Sequence, residues 1–234
     1  MRFWEIDAVR GVAVILMIVF HVLFDLYYFG KITLNSSFLY FFPRFIGGMF
    51  IFISGFTTTV IYGSNFSISR IMRKTLKLGV LAVLITCITF LFVPNQCVVF
   101  GIIHFFTLTT ILSIIFLNRF RLCLFTGIIT FLLGLIFENL SVPSEVFVWI
   151  GLKPDNFSTL DYYPLFPWLG IFLAGMYFGK YHYPFQVLEN SFIKLLTFLG
   201  RNSLKIYVIQ HPLILAFMQL IYGDIIEHLN INFV

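Results

Sequence analysis

The segment from Trp4 to Phe29 is apolar enough to cross a membrane, yet it carries ionisable side chains. At about 100° per residue, Arg10 and His21 lie about 20° apart around a helix, and Asp25 lies about 60° from Arg10. His21 and Asp25 are four residues apart, so we expect the carboxylate to reach the imidazole. Ionisable groups inside a span are costly and usually belong to a pathway or a reaction. We therefore interpret this helix as the catalytic wall of a membrane enzyme.

The chemistry that such a pair permits is general-base catalysis. A neutral histidine held by a carboxylate can deprotonate a hydroxyl or an amine, which then attacks an activated acyl carbonyl. A covalent acyl-imidazole on His21 is the other version of this hypothesis.

Two further histidines are expected at the depth of His21. His104 and His211 each lie about ten residues, roughly 15 Å of helix, from a predicted membrane boundary. We predict that both complete a shared polar cavity and stabilise the oxyanion, together with Arg44. For one isolated intramembrane histidine, a hydrogen bond to a neighbouring helix explains its presence equally well.

The composition indicates a protein that lies in a membrane. Of 234 residues, 60% are hydrophobic and only 11% are charged, whereas soluble domains carry about 25% charged residues. The chain is therefore predicted to be a multi-pass protein of the plasma membrane, and apolar segments of roughly 20 residues indicate helices rather than a β-barrel. The three cysteines have no repeated spacing, so neither a disulfide framework nor a metal site is expected. The distribution of the basic residues does not indicate a nucleic-acid-binding surface.

We predict an all-α, polytopic helix bundle of about seven transmembrane helices in a single domain, residues 1–234. The predicted spans are 8–28, 38–62, 79–92, 98–117, a fifth that ends near 137, 163–179 and 202–222. Basic residues concentrate in alternate connections, which places the amino terminus in the cytoplasm and the carboxyl terminus outside. The segment Pro184–Leu199 is predicted to be an amphipathic surface helix.

Some charged residues have an ordinary structural explanation beside a functional one. Arg10 could extend to the membrane surface and pair with Asp7, or it could meet an anionic substrate. Asp161 could cap a helix at the interface or face an acceptor at the outer mouth. Lys205 is better explained by extension to the surface.

Four blocks of the sequence resemble the heparan-α-glucosaminide N-acetyltransferase catalytic domain family, a branch of the transmembrane acyltransferases. They are EIDAVRGVAVILMIVFH, VVFGIIHFF, LDYYPLFPWLGIFLAGMYFGK and LGRNSLKIYVIQHP, spread in order over nearly the whole chain. The resemblance implies transfer of an acetyl group from cytosolic acetyl-CoA to an extracytoplasmic glycan or small acceptor. Membrane lipid, acyl-CoA and the acceptor are then the expected partners, while the oligomeric state stays open.

The resemblance carries over residue by residue. Asp7, Arg10 and Gly11 match the first-helix signature, His21 matches a histidine of prokaryotic members, and His104 falls on a polar position of the second block. The remaining matches, in the third and fourth blocks, are Asp161, Pro164, Pro167, Trp168, Asn202, Ser203 and Tyr207.

Two departures from the family pattern bear on the site. The connection GKITLNSS lacks the catalytic histidine of the lysosomal member, so that role falls on His21. Prokaryotic members often read H-Q-P where this chain reads Gln210–His211–Pro212, which leaves open whether Gln210 or His211 faces the site. Arg10, Arg44, Asp161, Trp168, Asn202, Ser203, Tyr207 and Gln210 are the predicted substrate-binding residues.

Two other classes of function remain open from the residues alone. Paired histidines near the midplane could ligate a b-type haem in an electron-transfer protein. His and Asp relays also occur in proton-coupled transporters, although no inverted repeat supports one here.

Overall fold

The computed structural model describes residues 3–63, 66–182 and 190–223, and these are mainly helical. The α-helices are α1 Trp4–Tyr28, α2 Ser36–Tyr62, α3 Ile68–Phe92, α4 Ile102–Phe116, α5 Phe120–Phe137, α6 Leu165–Gly179, α7 Ser191–Arg201 and α8 Ser203–Tyr222. Two short 3₁₀ turns, Pro94–Gln96 and Glu145–Ile150, and one isolated β-bridge between Ser141 and Lys153 complete the regular structure of the described residues. The all-α prediction is confirmed.

Five of these helices, α1, α2, α3, α5 and α8, are long and apolar enough to cross a membrane. The other two apolar helices, α4 and α6, have 15 residues each, or roughly 22 Å of length. The count of seven spans and the orientation of the termini stay predictions. The third helix is longer than the predicted span 79–92, because it begins at Ile68 and its first turns include Arg70, Arg73, Lys74 and Lys77.

The backbone contacts divide the chain into two compact units. The terminal unit comprises Met1–Phe50 and Tyr183–Val234, and the central unit comprises Ile51–His182. The first half of α2 belongs to the terminal unit and its second half to the central unit. The prediction of a single domain over 1–234 stays a prediction.

In the terminal unit, α1 and α8 run in the same direction, side by side. Contacts follow in order along the two helices and the residues that flank them: Asp7 with Arg201 at the end of α7, His21 with Gln210, Phe29 with Met218, and Lys31 with Tyr222. The predicted seven spans, an odd number, would give the first and the last span this same direction. It also places His21 and His211 at one height, as predicted from their distances to the membrane boundary.

The short helix α7 crosses α1 with almost no space between the two backbones. A Cβ added to Gly11 would collide with the backbone of Leu196, and a Cβ added to Gly200 would collide with the carbonyl of Asp7. The predicted amphipathic helix is therefore present as Ser191–Arg201, and residues 184–189 of that prediction lie outside the described residues. This crossing fixes the start of α8 beside the start of α1.

We expect Gly200→Ala to lower the free energy of unfolding by about 1–3 kcal/mol, because the new methyl group meets rigid backbone atoms. Thermal unfolding of the purified protein in detergent measures this change. Gly79→Ala is the matched control, since its Cβ would make only an ordinary contact, 3.5 Å from Thr107 Cγ2. Equal unfolding temperatures for the two variants would contradict the close crossing.

In the central unit, glycines again allow helices to approach closely. A Cβ on Gly55 of α2 would collide with Phe172 of α6, and one on Gly175 of α6 would collide with Phe52 of α2. The Thr59 hydroxyl donates a hydrogen bond to the Met176 carbonyl across the same interface, at 2.9 Å. Such close packing stabilises the α2–α6 interface, because the hydrophobic effect does not drive helix association within lipid.

Candidate active site

His21 is oriented by its own helix. Its Nδ1 lies 2.9 Å from the carbonyl oxygen of Met17, one turn nearer the start of α1. Side chains on a helix lean toward its amino terminus, so an imidazole readily contacts the carbonyl four residues before it. Because a carbonyl oxygen only accepts, this contact requires the proton on Nδ1 and leaves the Nε2 lone pair available. The ring can therefore act as a base through Nε2.

Gln210 of α8 supports the same ring. Its side-chain nitrogen lies 3.0 Å from His21 Nδ1, and its Oε1 is buried without a hydrogen-bond partner among the described residues. An amide N–H cannot donate to a nitrogen that carries a proton. Turning the amide over resolves the conflict with His21, because Oε1 then accepts from Nδ1–H beside the Met17 carbonyl. We assign Gln210 this positioning role.

Asp25 faces His211 and not His21, in contrast to the expected contact within α1. Its Oδ1 lies 3.7 Å from His211 Nε2, an ion-pair distance longer than a direct hydrogen bond. The residue is 3% exposed, and its Oδ2 has no hydrogen-bond partner among the described residues. The rings of His21 and His211 meet edge to face, with centroids 5.3 Å apart. One carboxylate, two imidazoles and one amide thus form a compact polar cluster.

The question of which residue of the Gln210–His211 pair faces the site has a direct answer. Gln210 contacts His21, and His211 contacts Asp25, so both side chains reach α1. Pro212 follows within the helix and does not end it.

A second polar cluster lies at the start of α1. Asp7, whose side chain is 10% exposed, pairs with Arg10 Nη1 at 3.1 Å and with Arg201 Nε at 3.3 Å. The Asp7–Arg10 pair, one of the two alternatives for Arg10, is present, and contact of Arg10 with a substrate stays a prediction. Sequence analysis missed Arg201, and the only signal for it was its place at the predicted start of the last span. Asp7 therefore joins the start of α1 to the end of α7.

His104 belongs to the central unit, and both of its ring nitrogens are engaged there. The Thr86 hydroxyl donates to the Val98 carbonyl at 2.7 Å, so His104 Nε2, at 3.1 Å, must donate to the hydroxyl oxygen. Nδ1 then accepts from the Gly101 N–H, at 3.3 Å. These bonds tie the first turn of α4 to α3. They favour a structural role for His104, the alternative stated above for a single intramembrane histidine.

The comparison with known proteins identifies the family. The family model described as heparan-alpha-glucosaminide N-acetyltransferase, catalytic, matches residues 2–212, which is most of the chain. The chain belongs to this family. It is therefore a multi-pass membrane protein of a membrane acetyltransferase family. No curated protein and no solved structure matches the chain.

The third family block in this acetyltransferase-family chain includes Asp161, which holds the start of α4. Asp161 Oδ2 accepts a hydrogen bond from the Ile102 N–H at 2.9 Å. This contact is the capping alternative that the sequence left open, with the carboxylate supplied from a distant connection. The next residue, Tyr162, donates its hydroxyl to the Val148 carbonyl, and burial raises the pKa of Tyr162. The block therefore fastens the connection before α6 to the rest of the central unit.

We expect Asp161→Ala to lower the free energy of unfolding by about 1 kcal/mol, because the Ile102 N–H loses its acceptor. Asp161→Asn keeps an oxygen acceptor and should stay within a few tenths of a kcal/mol of the parent. Thermal unfolding of both variants, with acetyl transfer measured in parallel, separates the two explanations. A stable Asp161→Asn protein that has lost activity would show that the charge itself is required.

The other predicted binding residues have varied surroundings. Arg44 lies exposed on α2, where its Nη1 donates to the Tyr40 carbonyl and its guanidinium stacks 3.5 Å from the Tyr40 ring centroid. Trp168 is buried in the central unit against Tyr163.

The block that opens α8 contributes in a different way. The Asn202 amide donates to the Phe198 carbonyl at the α7–α8 junction, and Ser203 is the first residue of α8. Tyr207 packs against the cluster of Val14 and Met17. These contacts position α8 beside α1, and a direct role of the three residues with substrate stays a prediction. Within the described ranges, no three His, Cys, Asp or Glu side chains converge as a metal ligand set.

Proposed function

We propose that this protein is a plasma-membrane acyltransferase that moves an acetyl group from cytosolic acetyl-CoA to an extracytoplasmic glycan or small hydroxyl or amine acceptor. The observation that carries the proposal is the cluster of His21, Asp25, Gln210 and His211 between two parallel membrane helices. The family match supports the reaction class.

In the proposed reaction His21 is the general base. Its Nδ1–H is held by the Met17 carbonyl and by Gln210, so Nε2 accepts the proton of the incoming hydroxyl or amine. The new bond forms between the acceptor atom and the thioester carbonyl, the bond to sulfur breaks, and the thiolate of CoA leaves with the proton that His21 returns. A covalent acetyl-imidazole on Nε2 is the two-step version of the same transfer.

Asp25 and His211 supply the charge balance in this proposal. Protonation of His21 creates a positive charge in a water-poor region, where electrostatic interactions are strong. The buried Asp25 carboxylate, through its contact with His211, is the negative group of the cluster. The proposed reaction assigns no step to His104 or Arg44.

The arginine pair on Asp7 suits the anionic part of the donor. Arg10 lies eleven residues before His21, or roughly 16 Å along α1, on the side predicted to be cytoplasmic. CoA carries several phosphate charges, and Arg side chains bind phosphate well. Arg10, with Arg201 beside it, is therefore the proposed contact for the CoA phosphates, while the thioester extends along α1 toward His21.

The test uses the purified protein in detergent with acetyl-CoA labelled in the acetyl group. We expect saturable binding and either slow hydrolysis of the thioester or label retained on the protein. Acetyl-CoA binding should weaken by about tenfold in Arg10→Gln. A protein that neither binds acetyl-CoA nor consumes it would overturn the proposed function.

A further inference from the structure

The first three turns of α3 carry a stripe of positive charge on one face. Arg70, Arg73, Lys74 and Lys77 follow the spacing i, i+3, i+4 and i+7, so they fall within an arc of about 100° around the helix. Three of the four side chains are exposed and Lys74 is partly exposed. We call these four residues the α3 basic stripe.

The location of these cations near the start of α3 is electrostatically unfavourable. A helix amino terminus is itself positive, so Arg70, the cation in its first turn, is unfavourably placed. The first turn of α3 has no acidic residue to offset them. Like charges at i and i+4 repel one another as well. An anion bound along the stripe would relieve all of these interactions at once.

The acidic residues of the central unit lie toward its other end. Asn118 donates to the Gly63 carbonyl at 3.1 Å, and Lys180 lies over the Phe120 ring. The start of α3 therefore shares one end of the unit with Arg119, Arg121 and Lys180. No Asp or Glu occurs between Asp25 and Glu138 in the sequence, and the four acids of the unit lie between Glu138 and Asp161, beyond the far end of α5.

A second exposed face of α3 indicates what kind of anion would bind to the basic stripe. Met72, Leu76, Val80 and Val83 form an apolar stripe beside the basic one, with exposed fractions of 51%, 69%, 55% and 61%. The opposite face, with Ile71, Thr75, Leu78 and Ala82, is buried in the unit. The apolar stripe starts level with the charges and continues into the predicted span. A ligand that matches both stripes has an anionic headgroup and an acyl chain.

We infer that the amino-terminal end of α3 is a binding site for an anionic phospholipid of the cytoplasmic leaflet. The phosphate lies along Arg70, Arg73, Lys74 and Lys77, and an acyl chain lies along Met72, Leu76, Val80 and Val83. Basic side chains next to a span attract anionic lipids, while the adjacent apolar stripe adds a preference for a ligand with chains. This site is separate from the proposed acetyl transfer and does not depend on it.

Native mass spectrometry of the purified full chain tests the inference. Phosphatidylglycerol or phosphatidylcholine with identical acyl chains is added in detergent, and retained lipid is measured. We expect the parent to retain phosphatidylglycerol preferentially and Arg73→Gln/Lys77→Gln to lower that retention at least about fivefold. Lys31→Gln/Lys153→Gln removes the same charge elsewhere and should leave retention unchanged. Equal retention of the two lipids by the parent, or equal losses in the two double variants, would overturn the site.

Competition separates a lipid from a free phosphate ligand. Glycerol 3-phosphate and CoA without an acyl group carry phosphate but no fatty-acid chain, so neither should displace phosphatidylglycerol at an equal concentration. Displacement by either compound would overturn the lipid assignment, and displacement by CoA would assign the stripe to the donor. Thermal unfolding of both double variants checks that the fold is intact, which is expected for Arg73→Gln/Lys77→Gln because both side chains are exposed.

Discussion

Replacement of His21 by glutamine is expected to lower the rate of acetyl transfer by about 10²–10⁴-fold, the usual contribution of a general base. Glutamine can still contact the Met17 carbonyl and Gln210, so the fold should persist while the basic nitrogen is lost. Steady-state turnover of labelled acetyl-CoA with a hydroxyl or amine acceptor measures the effect. If His21 also carries the acetyl group, label on the protein should disappear in the same variant.

His104→Gln provides the matched control for this result. Both ring nitrogens of His104 are engaged by Thr86 and Gly101, so its replacement should lower the unfolding temperature and change turnover by less than about tenfold. A large loss of turnover in His104→Gln without loss of stability would return this residue to the catalytic group. Full activity in His21→Gln would remove the proposed base.

Asp25→Asn is expected to lower turnover by about 10²-fold, because the cluster loses its only negative charge while its shape is kept. Acetyl-CoA binding should change little, since the arginine pair on Asp7 lies roughly 27 Å away along α1. Turnover and donor binding, measured on the same preparation, distinguish a loss of charge balance from a loss of fold.

The control for Asp25 is Asp155→Asn, which removes one charge from an exposed connection of the central unit. We expect turnover in this control to equal that of the parent. Should Asp25→Asn keep parental turnover, the buried carboxylate would have a structural role and His21 would act without it.

Hydropathy and depth led from the sequence to much of this arrangement. Long apolar runs in the sequence predicted where the apolar helices lie. Counting residues from the charged boundaries placed His21 and His211 at one height, and the contact between their rings confirms this. The family motifs singled out Asp161 and its neighbours. Asp25 and His211 are 186 positions apart, so no local sequence pattern predicts their contact.

Helix geometry explains why some contacts differed from the expectation. The side chains of His21 and Arg44 both lean toward the amino terminus and bind carbonyls four residues back, at Met17 and Tyr40. The spacing of four that suggested a His21–Asp25 pair is correct for the helix face, but the imidazole points away from the next turn. Asp25 is thereby left for a partner on α8, and Gln210 takes the place beside His21.

The parallel pairing of the first and last helices has a consequence for biogenesis. When α1 enters the bilayer, Asp25, one turn before the end of the helix, lacks its partner on α8, and an acidic residue within a span opposes insertion. The histidine that compensates it emerges from the ribosome only after some 180 further residues have been made. The first segment should therefore be less stably inserted until α8 has been made. A ribosome stalled before α8 should yield a membrane intermediate that is unusually easy to extract or degrade.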